Sequence, residues 1–134
     1  HLGGWSRTVD SGIRLRNSPS SKSDIILQME KHTSFLVLAT TGVWDRVRLP
    51  DNQVGFIASR LTEDIEKPLE ANIIQVSTPL MHSPDVTASM IELIEAGSGI
   101  EVLGHFGNYL YVGTETGTTG WISGFSESLQ VEQD

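Results

Sequence analysis

The sequence predicts an all-β chain built as two small β-barrels in tandem, and three observations carry that prediction. Apolar and polar residues alternate in short runs such as Gly12-Ile13-Arg14-Leu15-Arg16 and Val43-Trp44-Asp45-Arg46-Val47-Arg48-Leu49, the period of a half-buried strand. Turn-forming clusters punctuate these runs roughly every 8 to 12 residues, the spacing of sandwiches and small barrels, and no long helical period is present. Finally, Gly55-Phe56-Ile57 returns as Gly120-Trp121-Ile122, 65 positions further on. At this size closure into a barrel is favoured, because it removes exposed strand edges.

Residues 1–6 are Gly-rich and read as a tail, with Trp5 expected to pack onto the first barrel. Short strands are expected over Arg7–Asp10 and Gly12–Arg16, followed by a polar loop, Asn17–Ser23, that contains Pro19. Ile25–Met29 and Phe35–Ala39 read as strands separated by a turn at Glu30–Thr33. Thr40-Thr41-Gly42 is a turn, Val43–Ser59 a hairpin, and Leu61-Thr62 the close of the unit. The first barrel is therefore placed at 7–63, a charged linker with Pro68 at 64–71, and a second barrel at 72–126. In the latter, Ile73–Val76 starts the unit and Pro79 marks a short or edge strand. Residues 126–134 read as an acidic, mostly disordered tail.

The 65-residue offset holds without a gap from Gly12 to Thr62. Ser83-Pro84 answers Ser18-Pro19, Met90–Glu95 answers Ile25–Glu30, Gly107 answers Gly42, and Tyr109 answers Trp44. About a fifth of the aligned positions are identical, and turns, proline, glycines and aromatics recur in one order, which indicates a duplication.

Side chains suggest the register of the first hairpin. A two- or four-residue loop would set Val47 opposite Phe56, whereas a three-residue loop over Asp51–Gln53 sets Val47 opposite Ile57 and Leu49 opposite Gly55. The second choice gathers Val47, Leu49 and Ile57 on one inner face and is the register expected, since a one-residue slip would turn every side chain over. The outer face then carries Trp44, Arg46, Arg48 and Phe56 in the first copy, and Tyr109, Tyr111 and Trp121 in the second.

The 134 residues carry a formal charge of −8, unevenly spread. Residues 1–64 hold eight Lys/Arg against seven Asp/Glu, while residues 65–134 hold one lysine, Lys67, against ten acidic residues. Nucleic acid is not an expected partner, because it requires a concentrated basic surface, and an anionic ligand belongs on the first half. No run approaches the ~20 apolar residues of a membrane span. The absence of cysteine excludes disulfides, thiol catalysis and cysteine-ligated zinc. The chain opens on His1 without a signal-peptide pattern, as expected of a mature form or a fragment.

Ile13-Arg14-Leu15-Arg16-Asn17-Ser18-Pro19-Ser20 resembles the opening motif of bacterial SH3-like (SH3b) domains. Gly42–Asn52 resembles their GGWYKVRLPDG segment, and Gly55-Phe56-Ile57 is similar to their GWV, with Phe for Trp. The second copy departs further: Met81 stands at the motif arginine, Arg16, and Thr78-Pro79 at Ile13-Arg14. The resemblance implies small SH3-like barrels without a catalytic centre or cofactor, in exported (extracytoplasmic) proteins and often beside peptidoglycan hydrolases. The expected partners are peptidoglycan, a cell-wall peptide or glycan, or an attached catalytic domain.

No nucleophile elbow, P-loop, dinucleotide fingerprint or H-E-x-x-H is present, and His1, His32, His82 and His105 are scattered over expected turns, loops and the tail. Asp45 and Asp51 form no evident acid/base pair. The chain is thus expected not to be an enzyme and to need no metal. The candidate ligand-binding residues are Arg16, Trp44, Arg46, Arg48, Phe56, Tyr109, Tyr111 and Trp121. Ring faces suit a sugar or a peptide, and guanidinium pairs bidentately with carboxylate. The same aromatics also suit loop support and packing between modules, and Arg16 suits bracing a loop through backbone hydrogen bonds. Three uses follow: recognition of the cell wall, docking onto an attached hydrolase to shape its cleft, or protein–protein binding.

Overall fold

The computed structural model of the chain describes residues 4–124 and 129–131. Two compact units, His1–Glu66 and Lys67–Asp134, each contain one antiparallel sheet. In the first, the strands are β1 (Trp5–Thr8), β2 (Ile13–Arg16), β3 (Ile25–Met29), β4 (Ser34–Thr41), β5 (Trp44–Arg48), β6 (Val54–Ala58) and β7 (Thr62–Asp64). They lie in the order β3-β2-β6-β5-β4-β1-β7. A single 3-10 turn, Ser59–Leu61, precedes β7. The second unit holds β8 (Glu70–Ile74), β9 (Thr78–Met81), β10 (Met90–Ile94), β11 (Gly99–Phe106), β12 (Tyr109–Thr114), β13 (Thr119–Ser123) and β14 (Leu129–Val131), in the order β10-β9-β13-β12-β11-β8-β14. The all-β class is as expected. The end strands of each sheet are not paired to each other among the described residues, so neither ladder closes.

The repeat extends to individual strand pairs. Arg46 faces Phe56 and Val47 faces Gly55, just as Tyr111 faces Trp121 and Val112 faces Gly120. Each long strand carries a bulge at the same place, between Val37 and Ala39 and between Val102 and Gly104. The edge hairpins are irregular at equivalent steps too, beside Arg16 and beside Met81. A bulge bends its strand and increases its local twist. Two sequences that share about a fifth of their residues thus bend their sheets at the same points.

Ile13, Leu15, Met29, Phe35, Val37, Val47, Leu49 and Ile57 are buried in the first unit. Ile74, Leu80, Ile94, Ile100, Val102, Val112 and Ile122 form the core of the second. The repeated glycines have a steric reason. A Cβ on Gly55 would lie 2.7 Å from Leu15 Cγ and 2.8 Å from the Arg16 carbonyl oxygen. One on Gly120 would lie 2.8 Å from both Leu80 Cγ and the Met81 carbonyl oxygen.

Several expectations need correction. The first hairpin has a three-residue loop, but it comprises Pro50-Asp51-Asn52 and not Asp51–Gln53: Leu49 N donates to the Gln53 carbonyl at 2.8 Å. Asn52 takes the left-handed conformation, φ 76°, which asparagine tolerates better than glutamine. Val47 therefore faces Gly55 and not Ile57. The difference is two residues, an even number, so Val47, Leu49 and Ile57 remain buried. Trp5 is not in a tail but opens β1, opposite Leu36. Glu70 and Ala71, expected in the linker, belong to β8, and Asp64 to β7. Of the expected disordered tail, Leu129–Val131 form β14 against β8; residues 126–128 and 132–134 lie outside the described residues, as does His1. His105 lies within β11, opposite Leu110, and not in a turn.

Candidate ligand clefts

Each unit has a cleft at the same place in its fold. In the first unit it is lined by Arg14 and Arg16 on β2, Ser21 in the following loop, Trp44 at the start of β5, and Arg60 in the 3-10 turn, around a volume of 210 Å³. The equivalent cleft of the second unit, 230 Å³, has Pro79 and Met81 in place of the two β2 arginines, Val86 in place of Ser21, and Tyr109 in place of Trp44. Asp85 also lines it.

Local structure explains how the first cleft is assembled. Arg16 Nη1 donates to the Ser23 carbonyl at 2.9 Å, bracing the loop that follows β2. Inside that loop Ser23 Oγ donates to the carbonyls of Ser18 and Ser20. Elsewhere in the unit, buried Asp45 accepts hydrogen bonds from Thr40 Oγ1 at 3.0 Å, Ser59 Oγ at 2.7 Å and Thr62 Oγ1 at 3.0 Å. Ser59 and Thr62 flank Arg60, so this carboxylate holds the turn that brings Arg60 to the cleft. Arg14 and Arg60 are exposed, and among the described residues neither is ion-paired. The lining therefore offers a half-buried indole and three guanidinium groups, with no acidic side chain. Such a surface can receive a carboxylate or another small anion beside a flat apolar group.

The second cleft is braced differently. Asp85 Oδ1 accepts from Thr87 N at 2.8 Å and Thr87 Oγ1 at 2.6 Å, and Oδ2 accepts from Ser83 Oγ at 3.1 Å. These bonds, those from Thr87 first, lower the pKa of its carboxyl below the ordinary value. The loop is thus tied from within by a carboxylate, where the first unit ties its loop from a strand arginine.

The expected site residues separate into groups. Arg16, Trp44 and Tyr109 line the clefts. Arg46 and Arg48 are exposed on β5 and line neither; Phe56 is half-buried between Arg16 and Arg46 in adjacent strands. Tyr111 and Trp121 depart from the expected outer face. Both are buried, 6% and 2% exposed, with ring centroids 4.9 Å apart. Burial raises the Tyr111 phenol above its ordinary 10.0, opposed by a hydrogen bond with Thr119. Closed off from solvent, these rings serve packing and offer no face to a sugar.

Sequence reasoning singles out neither Arg14 nor Arg60, and weighs Asp45 only as half of an acid/base pair. Arg14 follows from the alternation, since its neighbours Ile13 and Leu15 point inward. Asp45 shows only as a polar residue on the same alternating face as Val47 and Leu49. Arg60 lies outside any strand, and only tertiary hydrogen bonds bring it to the cleft. Among the described residues no group of three or more His, Cys, Asp or Glu could hold a metal ion, and no helix is long and apolar enough to cross a membrane.

No protein-family model matches the chain, and no curated protein sequence matches it. Its fold is similar to that of solved structures of NlpC1 and NlpC2 from Trichomonas vaginalis. For NlpC1 the TM-score is 0.51 at 15% identity, covering 98% of this chain and 47% of that protein. For NlpC2 it is 0.50 at 14% identity, covering 98% and 49%. The chain thus spans about half the length of these solved proteins, and at such identity the likeness concerns the fold.

Proposed function

We propose that the chain is a tandem of bacterial SH3-like barrels that acts as a non-catalytic recognition region for the cell wall, in an extracytoplasmic protein. The barrels correspond to 7–63 and 72–126, with 64–71 as the joining segment, widened by the strands found at their ends. The cleft of Trp44, Arg14, Arg16 and Arg60 carries this reading: an aromatic face beside unopposed guanidinium groups suits a peptide that ends in a carboxylate. The motif resemblance of residues 7–62 and the fold likeness to NlpC proteins support the cell-wall context. The candidate contacts are Trp44, Arg16 and Arg60, with Arg46, Arg48 and Phe56 on the adjoining strands and Tyr109 in the second unit.

Co-sedimentation with purified peptidoglycan tests the proposal. The intact chain is expected to sediment with it, and Trp44→Ala or Arg60→Ala to weaken binding about tenfold, as loss of an anchoring aromatic or Arg does. Absence of sedimentation with sacculi of varied peptide composition overturns it. A second reading, an accessory module that docks on an attached hydrolase and shapes its cleft, is supported by the chain spanning about half the length of the solved NlpC proteins. It expects Trp44→Ala to leave sedimentation unchanged and to alter the KM of the joined enzyme.

A further inference from the structure

We propose that the cleft of the second unit binds an alkylammonium group, a short apolar chain ending in a primary amine. Its walls are Pro79, Met81 and Val86 with the ring of Tyr109, and its volume of 230 Å³ suits a small alkyl chain. Val86 is 89% exposed, an apolar side chain held in water at the rim of a cleft. The single charge on the lining is Asp85. A carboxylate has about four acceptor positions, and Thr87 and Ser83 occupy three at Asp85. With a weaker contribution from the Ala88 amide they fix its orientation, and the exposed carboxylate keeps its charge open to solvent, where an ammonium can pair with it. Comparison with the first unit gives independent support. At equivalent positions Arg14 becomes Pro79, Arg16 becomes Met81 and Ser20 becomes Asp85, while the aromatic is kept. The cleft has kept a similar volume and its aromatic wall and exchanged positive charge for negative.

The site does not rest on the carboxylate reading of the first cleft. The two fail separately, because their probes have opposite charge and their variants lie in different units. The test is an NMR titration of the full chain with hexylamine and, in parallel, hexanoate. Hexylamine is expected to give saturable shifts at Met81, Val86 and Tyr109, with hexanoate at least tenfold weaker there. Asp85→Asn keeps an acceptor for Thr87, so the loop keeps its turn, and it should weaken hexylamine about fivefold, the scale of an exposed ion pair. Met81→Arg, which restores the residue of the first unit, should invert the preference toward hexanoate. Cadaverine and Nα-acetyl-lysine amide separate the two sources of the group: tighter binding of the first assigns a free diamine, tighter binding of the second a lysine side chain. Equal response to hexylamine and hexanoate, shifts spread over the acidic surface at large, or an unchanged response in Asp85→Asn overturns the proposal.

Discussion

In the first unit a buried carboxylate, Asp45, gathers the hydroxyls of Thr40, Ser59 and Thr62 and so holds Arg60 at the cleft. At the same place the second unit has Leu110, and Gly124 where the first has Ser59. The backbone bond survives the exchange: Ser59 N donates to the Val43 carbonyl, and Gly124 N to the Asn108 carbonyl, both at 2.8 Å. The same pattern recurs across the molecule. Bulges, left-handed loop residues and glycines packed on leucine are shared, and the side chains built over them are not. The lesson is that main-chain features hold the register, while the polar groups at the clefts are free to change sign.

The glycines offer the most severe way to break that equivalence. Gly55→Ala and Gly120→Ala each force a Cβ against a backbone carbonyl that cannot retreat, so each should destabilise its unit by about 3 kcal/mol, and by similar amounts. Urea unfolding of each variant checks this, and a large effect in one unit alone would show that the shared close approach is not what holds both sheets. Next comes Asp45→Leu, which gives the first unit the residue of the second. The half-buried hydroxyls of Ser59 and Thr62 and the exposed one of Thr40 lose their acceptor, a loss of about 2 kcal/mol, and Arg60 should leave the cleft. Thermal unfolding together with peptidoglycan binding measures both; unchanged binding would separate Asp45 from the site.

The smallest effect is a pH dependence. Both tyrosines lie in the second unit, and only Tyr111 is buried. Its folded pKa lies above the ordinary 10.0, so the folded state holds the phenolic proton more tightly than the unfolded chain does. That contribution is fully present below pH 10 and is lost as pH rises through the folded value. Melting temperatures taken on either side of pH 10 should show a steeper alkaline loss in the intact chain than in Tyr111→Phe. Equal slopes would assign the loss to other groups.

Much of this was legible in the residues. Alternation around Val47, Leu49 and Ile57 located the core, and the spacing of Gly55 and Gly120 pointed to the equivalent strand pairs of the two sheets. The hairpin loop was displaced by one residue because side-chain alternation reads faces, not pairings. The left-handed preference of Asn52 was the signal that would have corrected it. Tyr111 and Trp121 were misplaced for a related reason. Alternation identifies the solvent side only where one face is wet, and in β12 and β13 consecutive residues, Tyr111-Val112-Gly113 and Gly120-Trp121-Ile122, are all buried. Trp5 and Leu129–Val131 lie in stretches too short for a period to show, and only pairing with distant strands orders them.

That pairing has a topological consequence. In each sheet the first strand lies beside the last, with Ser6 opposite Asp64 and Asn72 opposite Val131. The polypeptide enters and leaves each unit at neighbouring points on one margin. A module wired in this way can be copied, excised or spliced into a longer chain without severing any strand of its interior. Its doorway is fixed, and its clefts can diversify independently from copy to copy.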